Sequence, residues 1–184
     1  TGNIYQGFIE LEEEKEFLEV YNPSTRIKAN LNIPEIAGRV APYADGVGSL
    51  RIENMIIRTG KHPQILLDED RLTDVLTDGV RVIVDAFYPK SVFFRTFDIP
   101  TDELKHLEGG EIEPAESNPL IGSRGIKKDL NNPQILEAQF MAVKNLLDEG
   151  YSNLALKIPY VRDISEYIAS KKYLKKCGII PHQD

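Results

Sequence analysis

Cysteine occurs once, at Cys177. A lone thiol excludes an internal disulfide framework and suits a reducing cytoplasm. Long apolar runs are missing too: nothing approaches the ~18 uninterrupted hydrophobic residues of a membrane-spanning helix. No basic and then apolar leader opens the chain, which starts Thr1-Gly2-Asn3. Positive charge is in deficit, with 22 Lys+Arg against 29 Asp+Glu and a net −7, where a nucleic-acid module usually shows a basic patch or stripe. The expectation is a cytoplasmic protein that has neither nucleic acid nor membrane as a partner. There is no internal repeat, and no low-complexity tract beyond one acidic block, Glu10 to Glu16.

What is present fits a folded domain. A chain of 184 residues, 41% hydrophobic and 28% charged, can bury a core and fills one domain or slightly more. It does not begin with Met, and its last residues, Ile180 to Asp184, close no element. Both ends are expected to be cut from something longer. Residues 3–9 resemble a short strand. The acidic block suits a solvated linker, and turn chemistry at Pro23-Ser24-Thr25 closes residues 1–24 as a linker segment.

A rhythm begins after residue 25. Strands are predicted at 27–33, 46–52, 91–96, 118–122 and 153–159, the fourth being the weakest. Between them Pro34 to Arg39 suits a short helix with proline in its first turn. Leu72, Leu76, Val80, Ile83 and Phe87 follow the helical period. Leu107 to Ser117 reads as a loop. Asn132 is a good N-cap, Pro133 a good first helical residue and Gly150 a good stop for a helix whose stripe is Leu136, Phe140, Val143 and Leu147. Asp163 and Glu166 form a capping-box-like pair that opens a last helix toward Lys176. Alternating strands and helices imply parallel βα units. Both an open doubly wound sheet and a (β/α)8 barrel meet that pattern. A whole barrel takes about 250 residues, so five units would be a truncated one.

Three strands, or the loops just after them, end in arginine: Arg51, Arg95 and Arg124. In a parallel α/β array the strand C-termini share one face, where ligands bind. Converging guanidiniums there would make a site for carboxylate or phosphate oxygens; unrelated surface arginines are the other reading. Glu53 and Asp98 lie close in sequence and could orient the arginines. Other signals fail. Gly46-Val-Gly-Ser-Leu-Arg51 lacks the third glycine of a dinucleotide fingerprint. Gly60-Lys61-His62 lacks the Ser/Thr and upstream glycine of a P-loop. Cys177 and His182 are one metal-like pair without companions, and no metal ligands are assigned. His62 and His106, in polar segments, are expected at the surface.

The residues themselves carry a resemblance. Gly46-Val-Gly-Ser-Leu-Arg-Ile-Glu53 resembles the G-V-G-L-L-R-T-E segment of the PEP-utilizing enzymes. Phe94-Arg-Thr-Phe-Asp98 is similar to their R-T-x-D strand end, and Asn118-Pro-Leu-Ile-Gly-Ser-Arg-Gly125 to their N-P-x-L-G-W-R-G segment. The order and separations match over residues 27–184, and Arg58 to Pro63, Ala86 to Pro89 and Leu107 to Glu111 look like the archaeal phosphoenolpyruvate synthase branch. Ser49 and Ser123 depart from the pattern.

The resemblance implies a partial (β/α)8 TIM-type barrel, about its first five βα units, over residues 25–184. Residues 1–24 would be the exit from a phosphohistidine domain. It implies pyruvate and phosphoenolpyruvate as ligands and the phosphohistidine domain as partner. Arg95 and Arg51 would be catalytic, and Arg51, Arg95 and Arg124 substrate-binding. Glu53, Asp98 and Asn118 would support them, with Asp98 holding geometry rather than acting as a base. Mg2+ is the implied cofactor of the parent enzyme, with its carboxylates, and the catalytic cysteine, on later strands outside this chain; Cys177 is not matched to that cysteine. The isolated piece is then expected to be inactive. Its open sheet edges are expected to drive self-association. Pyruvate, phosphate dikinase and a non-catalytic barrel-fragment binding protein are the alternative readings.

Overall fold

The computed structural model describes residues 24–180. The expected linker and the first strand reading, residues 3–9, therefore lie almost wholly outside the described residues. Strands β1 (Ala29–Leu31), β2 (Val47–Arg51), β3 (Val92–Arg95) and β4 (Leu154–Lys157) form one sheet in the order β1-β2-β3-β4. Every pairing is parallel. Parallel neighbours need long crossovers, and helices occupy each of them. The first holds α1 (Ala37–Val40) between two 3-10 turns. The second holds α2 (Glu53–Ile57), α3 (Pro63–Asp68) and α4 (Leu72–Phe87). The third holds α5 (Thr101–Leu104), α6 (Gly125–Asn131) and α7 (Pro133–Asp148). Helix α8 (Ile164–Lys176) follows β4.

The core lies between the sheet and the long helices. Leu72, Leu76, Val80, Ile83 and Phe87 of α4 are all buried, as their helical spacing requires. They meet α7, which buries Leu136, Phe140 and Val143. Leu147, expected in that stripe, is only partly buried, and Leu146 takes the core position. From the sheet, Val92 and Phe94 are fully buried. Burying a side chain of this size stabilises by roughly 1.5–3 kcal/mol each. Phe93 and Ala155, paired across β3 and β4 on the other face, stay half-buried. The sheet is therefore covered more completely on the helical side.

Three expectations need correction. Residues 118–122 are not a strand, so the described residues hold four strands and not five. Asn118 Oδ1 accepts the Leu120 N–H at 3.2 Å, and the Ile121 and Gly122 N–H groups donate back to the Asn118 and Pro119 carbonyls at 3.3 Å each. These local bonds satisfy the backbone in a turn and outcompete the β-branched Ile121, which stays exposed. Asn132 does not cap α7 with its side chain. Helix α6, not anticipated, runs directly into it, and Asn132 Nδ2 donates to the Lys128 carbonyl at 2.9 Å, finishing α6 instead. The capping box at α8 is half made. Asp163 Oδ1 accepts the Ser165 and Glu166 N–H groups, but Glu166 Oε2 turns to the Arg162 N–H.

Candidate anion-binding site

Arg51 and Arg95 are the last residues of β2 and β3, and they pair in register. Arg95 pairs in turn with Lys157, the last residue of β4. Register partners point to the same face of a sheet, so three cations stand in a row along the C-terminal edge. Lys157 carries no sequence motif, and only the strand register places it here.

Arg124 arrives by another route. It precedes Gly125, the first residue of α6, whose φ is +57° and whose missing Cβ would lie 2.5 Å from the Tyr160 Cβ. Only glycine fits that approach. Glu116 closes the preceding turn, accepting the Ser123 N–H at 2.8 Å and the Thr101 hydroxyl at 2.9 Å. Gly122 packs directly on the same carboxylate, with no room for a Cβ. Asn118 shapes the turn that presents the Leu120 carbonyl. That carbonyl accepts from the Tyr160 hydroxyl at 3.1 Å and sits 3.5 Å from Arg124 Nη1. The Arg124 guanidinium lies 4.8 Å from the centre of the Tyr160 ring, a cation–π distance.

Two carboxylates join the two inner arginines. Glu53, the first residue of α2, accepts from Arg95 Nη2 at 2.5 Å and from the Asp98 N–H at 3.1 Å, both on Oε1. Asp98 Oδ1 accepts from Arg124 Nε at 2.7 Å, while Oδ2 lies 3.5 Å from Arg95 Nη1. The result is an alternating chain, Glu53–Arg95–Asp98–Arg124, whose side chains are only 8–14% exposed. The hydrogen bond to Asp98 raises the Arg124 guanidinium further above its ordinary range. Within this chain two positive and two negative groups balance. Arg51 and Lys157, both exposed and without an ion pair among the described residues, add positive charge beside it. The structure thus brings Arg51, Arg95, Glu53, Asp98 and Arg124 to one rim, and gives Asn118 a part in the turn behind it. The Arg95–Asp98 separation exceeds the 2.7–2.9 Å of a good charge-assisted bond, so Nη1 is held only loosely, and Arg95 Nε is buried without a hydrogen-bond partner.

A second polar group was not legible in the sequence. His62, expected at the surface, is buried, 3% exposed; His106 is exposed as expected. His62 caps α3: Nδ1 accepts the Gln64 N–H at 3.0 Å. Nδ1 is therefore unprotonated, and Nε2 carries the hydrogen toward Glu113 Oε1, 3.0 Å away. Lys128 Nζ reaches the same oxygen at 2.7 Å. Burial pushes the Glu113 carboxyl up, but His62 and Lys128 together outweigh it, and the net shift is downward. Pro63 after His62 is a helix-start signal that could have found this cap; no local signal marks Glu113. These residues and Phe97, Ile99 and Asp129 line a cavity of about 180 Å3.

Cys177 ends α8 with Sγ 3.9 Å from the Glu137 carbonyl. Burial pushes its thiol up, opposite to the lowered pKa of a reactive cysteine. Among the described residues no group of three or more His, Cys, Asp or Glu side chains could hold a metal ion. The described residues therefore offer no such ligand group for the implied magnesium.

A parallel α/β sheet with polar side chains gathered beyond its strand C-termini defines a class: α/β domains whose ligands sit in the crevice outside that end of the sheet. The particular family follows from the sequence as a whole. The profile of the PEP-utilising enzyme, PEP-binding domain, matches residues 10–180, and the chain belongs to that family. It is similar to a probable phosphoenolpyruvate synthase of Methanothermobacter thermautotrophicus, at 41% identity over 100% of this chain and 28% of the relative. It is similar to another of Methanocaldococcus jannaschii, at 42% over 100% of this chain and 16% of the relative. The phosphoenolpyruvate synthase of Pyrococcus furiosus is 40% identical over 87% of this chain and 20% of its own length. The chain thus spans less than a third of each of these relatives. No helix among the described residues is long and apolar enough to cross a membrane.

Proposed function

We propose that this chain is the part of a phosphoenolpyruvate synthase that grips the phosphate and carboxylate groups of phosphoenolpyruvate and pyruvate. The observation that carries this reading is the Glu53–Arg95–Asp98–Arg124 chain beside exposed Arg51 and Lys157. In the parent enzyme the overall reaction would be ATP, pyruvate and water giving phosphoenolpyruvate, AMP and phosphate. A phosphohistidine on a separate domain would deliver the phosphoryl group to the rim. Little covalent chemistry is then asked of this domain. Its task is to place the acceptor and to neutralise charge on the transferring oxygens. Arg95 is the central donor, fixed by Glu53 through Nη2 and paired only loosely with Asp98 through Nη1. Arg124, stacked on Tyr160, would orient the carboxylate or phosphate from the opposite flank, and Arg51 would supply charge from the open edge. Asp98, engaged by both guanidiniums, holds them apart and is not a base.

The strand order β1-β2-β3-β4 runs without reversal. A doubly wound sheet reverses at its switch point, so this order supports an arc of a (β/α)8 barrel. Among the described residues β1 and β4 are the edges of the sheet, and they suit further strands of the same barrel, or a second copy of the chain.

Calorimetry of phosphoenolpyruvate binding to this chain tests the reading, with turnover measured in the full-length enzyme. Arg95→Ala is expected to lose most of the affinity, and to lower kcat by ~10²–10³-fold, the usual cost of one lost charge-stabilising donor. Arg95→Lys should rescue only in part, because an ammonium lacks the planar fork. Lys127→Ala, on the exposed side of α6, is the control. Unchanged binding and turnover in Arg95→Ala, or an equal loss in the control, would end the assignment.

A further inference from the structure

Beneath the rim lies a buried pair that the anion site does not itself use. Gln139, in the middle of α7, is 0% exposed. Its Oε1 accepts the Phe97 N–H at 2.8 Å, and its Nε2 donates to Asp129 Oδ1 at 3.1 Å and to the Ile135 carbonyl at 3.3 Å. These bonds fix the orientation of the amide. Turned over, its NH2 would meet the Phe97 N–H, and its oxygen would meet a carbonyl and a carboxylate. Phe97 follows Arg95 by two residues and precedes Asp98, the carboxylate that holds both arginines. Helices α6 and α7 therefore reach the rim backbone through one side-chain amide.

Asp129 is the less settled partner. Its Oδ2 is buried with no hydrogen-bond partner, and so is Oγ1 of Thr96, the residue after Arg95. The polar and charged groups facing the carboxyl are Gln139 from α7, Thr96 beyond β3, Lys128 from α6 and Glu53 from α2. Lys128 Nζ is ion-paired with Glu113, which is bonded to His62, but makes no aligned hydrogen bond of its own.

We propose that Asp129 and Gln139 are positioning residues of the arginine rim: they set the Phe97–Asp98 backbone, and the charge on Asp129 adjusts how firmly the rim holds an anion. A neutral Asp129 leaves Gln139 a neutral acceptor and can give its Oδ2 proton to the Thr96 hydroxyl. An ionised Asp129 tightens on Gln139 Nε2, competes with Glu113 for Lys128, and adds a second negative charge near Glu53. An anion on the rim and a proton on Asp129 then favour one another, by reciprocal linkage. Burial pushes the Asp129 carboxyl up to about 7 against the pull of Gln139 and Lys128, which places the exchange near neutral pH.

The test begins without a ligand. The Phe97 and Asp98 amide signals and the Arg95 and Arg124 Nε–H signals are followed by NMR between about pH 5 and about pH 8.5, alongside the Asp129 carboxyl and the His62 ring. In the unmodified chain the rim signals should move with the Asp129 carboxyl, and in Asp129→Asn they should stay still. The unmodified titration needs no variant to fold, and the Asn side chain is nearly isosteric. A carboxyl that does not titrate in this range overturns the proposal. So does a rim that does not follow it, or one that shifts equally in Asp129→Asn. The second arm rests on the anion-site reading above. The dissociation constant for phosphoenolpyruvate, divided by that of Asp129→Asn at the same pH, should rise about 3–10-fold from about pH 6 to about pH 8; the ligand's own protonation cancels in the ratio. A constant ratio with binding still lost in Arg95→Ala refutes the tuning alone. Binding untouched in Arg95→Ala refutes the anion site, while the NMR arm still decides the positioning role.

Discussion

Replacing Glu53 by Gln perturbs the rim at the point where one oxygen serves two donors. Oε1 accepts from Arg95 Nη2 at 2.5 Å and from the Asp98 N–H at 3.1 Å. A glutamine can keep its carbonyl at that position and retain both bonds, but it loses the charge. A hydrogen bond to a charged partner contributes about 1.5–3 kcal/mol and a neutral one about half that. The Arg95 and Glu53 side chains are only 14% and 10% exposed, so water recovers little of the difference. The glutamine NH2 would take the place of Oε2, which is buried without a partner; that costs a further unsatisfied group but relieves an unsatisfied carboxylate oxygen. A net loss of about 1–3 kcal/mol follows. Glu53→Ala also leaves Arg95 buried beside Asp98 alone at 3.5 Å, and should cost about 3–5 kcal/mol, the range for removing one member of a buried pair. Urea unfolding followed by circular dichroism measures both, with the slope m showing whether the unfolded surface has changed. A double-mutant cycle with Arg95→Met isolates the pair and should give a coupling of about 2 kcal/mol. Coupling near zero, or less than about 0.5 kcal/mol lost in Glu53→Ala, would show that Glu53 does not hold Arg95 and that the alternating chain is not a unit.

Two further outcomes concern stability. The Asp129 carboxyl, ordinarily near 3.8 and held at about 7 in the fold, binds more protons folded than unfolded between those values. Folding stability should therefore fall as pH rises from about 4 to about 7 and level off above. Asp129→Asn should remove that fall, its advantage growing through the window to at most about 4 kcal/mol in urea unfolding near pH 8; identical pH dependence in the two proteins would contradict the buried charge. Gly125→Ala places a Cβ 2.5 Å from that of Tyr160 at φ +57° and should cost about 1–3 kcal/mol, seen as a lower thermal midpoint, with a weakened Arg124 contact to anions. An unchanged midpoint would mean that the Tyr160 segment yields freely.

Local rules determined a good part of this protein from sequence alone. The stripe from Leu72 to Phe87 is helical because its spacing matches the helical period, and it is buried because it is apolar. Arg51 and Arg95 share one rim because both close strands in a parallel array, whose C-termini face one way. Such features need only neighbours in the chain and the direction of the sheet. Even local reading has limits where two rules compete, as at Asn118 to Gly122, where turn bonds prevailed over β-branching. What tertiary structure alone decided are the partnerships. Glu53 meets Arg95 from 42 residues away, Gln139 meets Phe97 from 42, and Glu113 meets His62 from 51. No periodicity encodes such pairs, since a side chain's partner is set by which loops and helices pack over the strand ends. His62 is buried for that reason: the polar sequence around it says nothing of the Glu113 segment folded across it. Lys157 gained its place only through strand register, and Asp129 its raised pKa only through burial. Sequence placed the charged residues near the rim; the contacts that α2 and α7 make at the end of β3, with α6 behind them, decided which of them are held and which carries a charge that the fold resists.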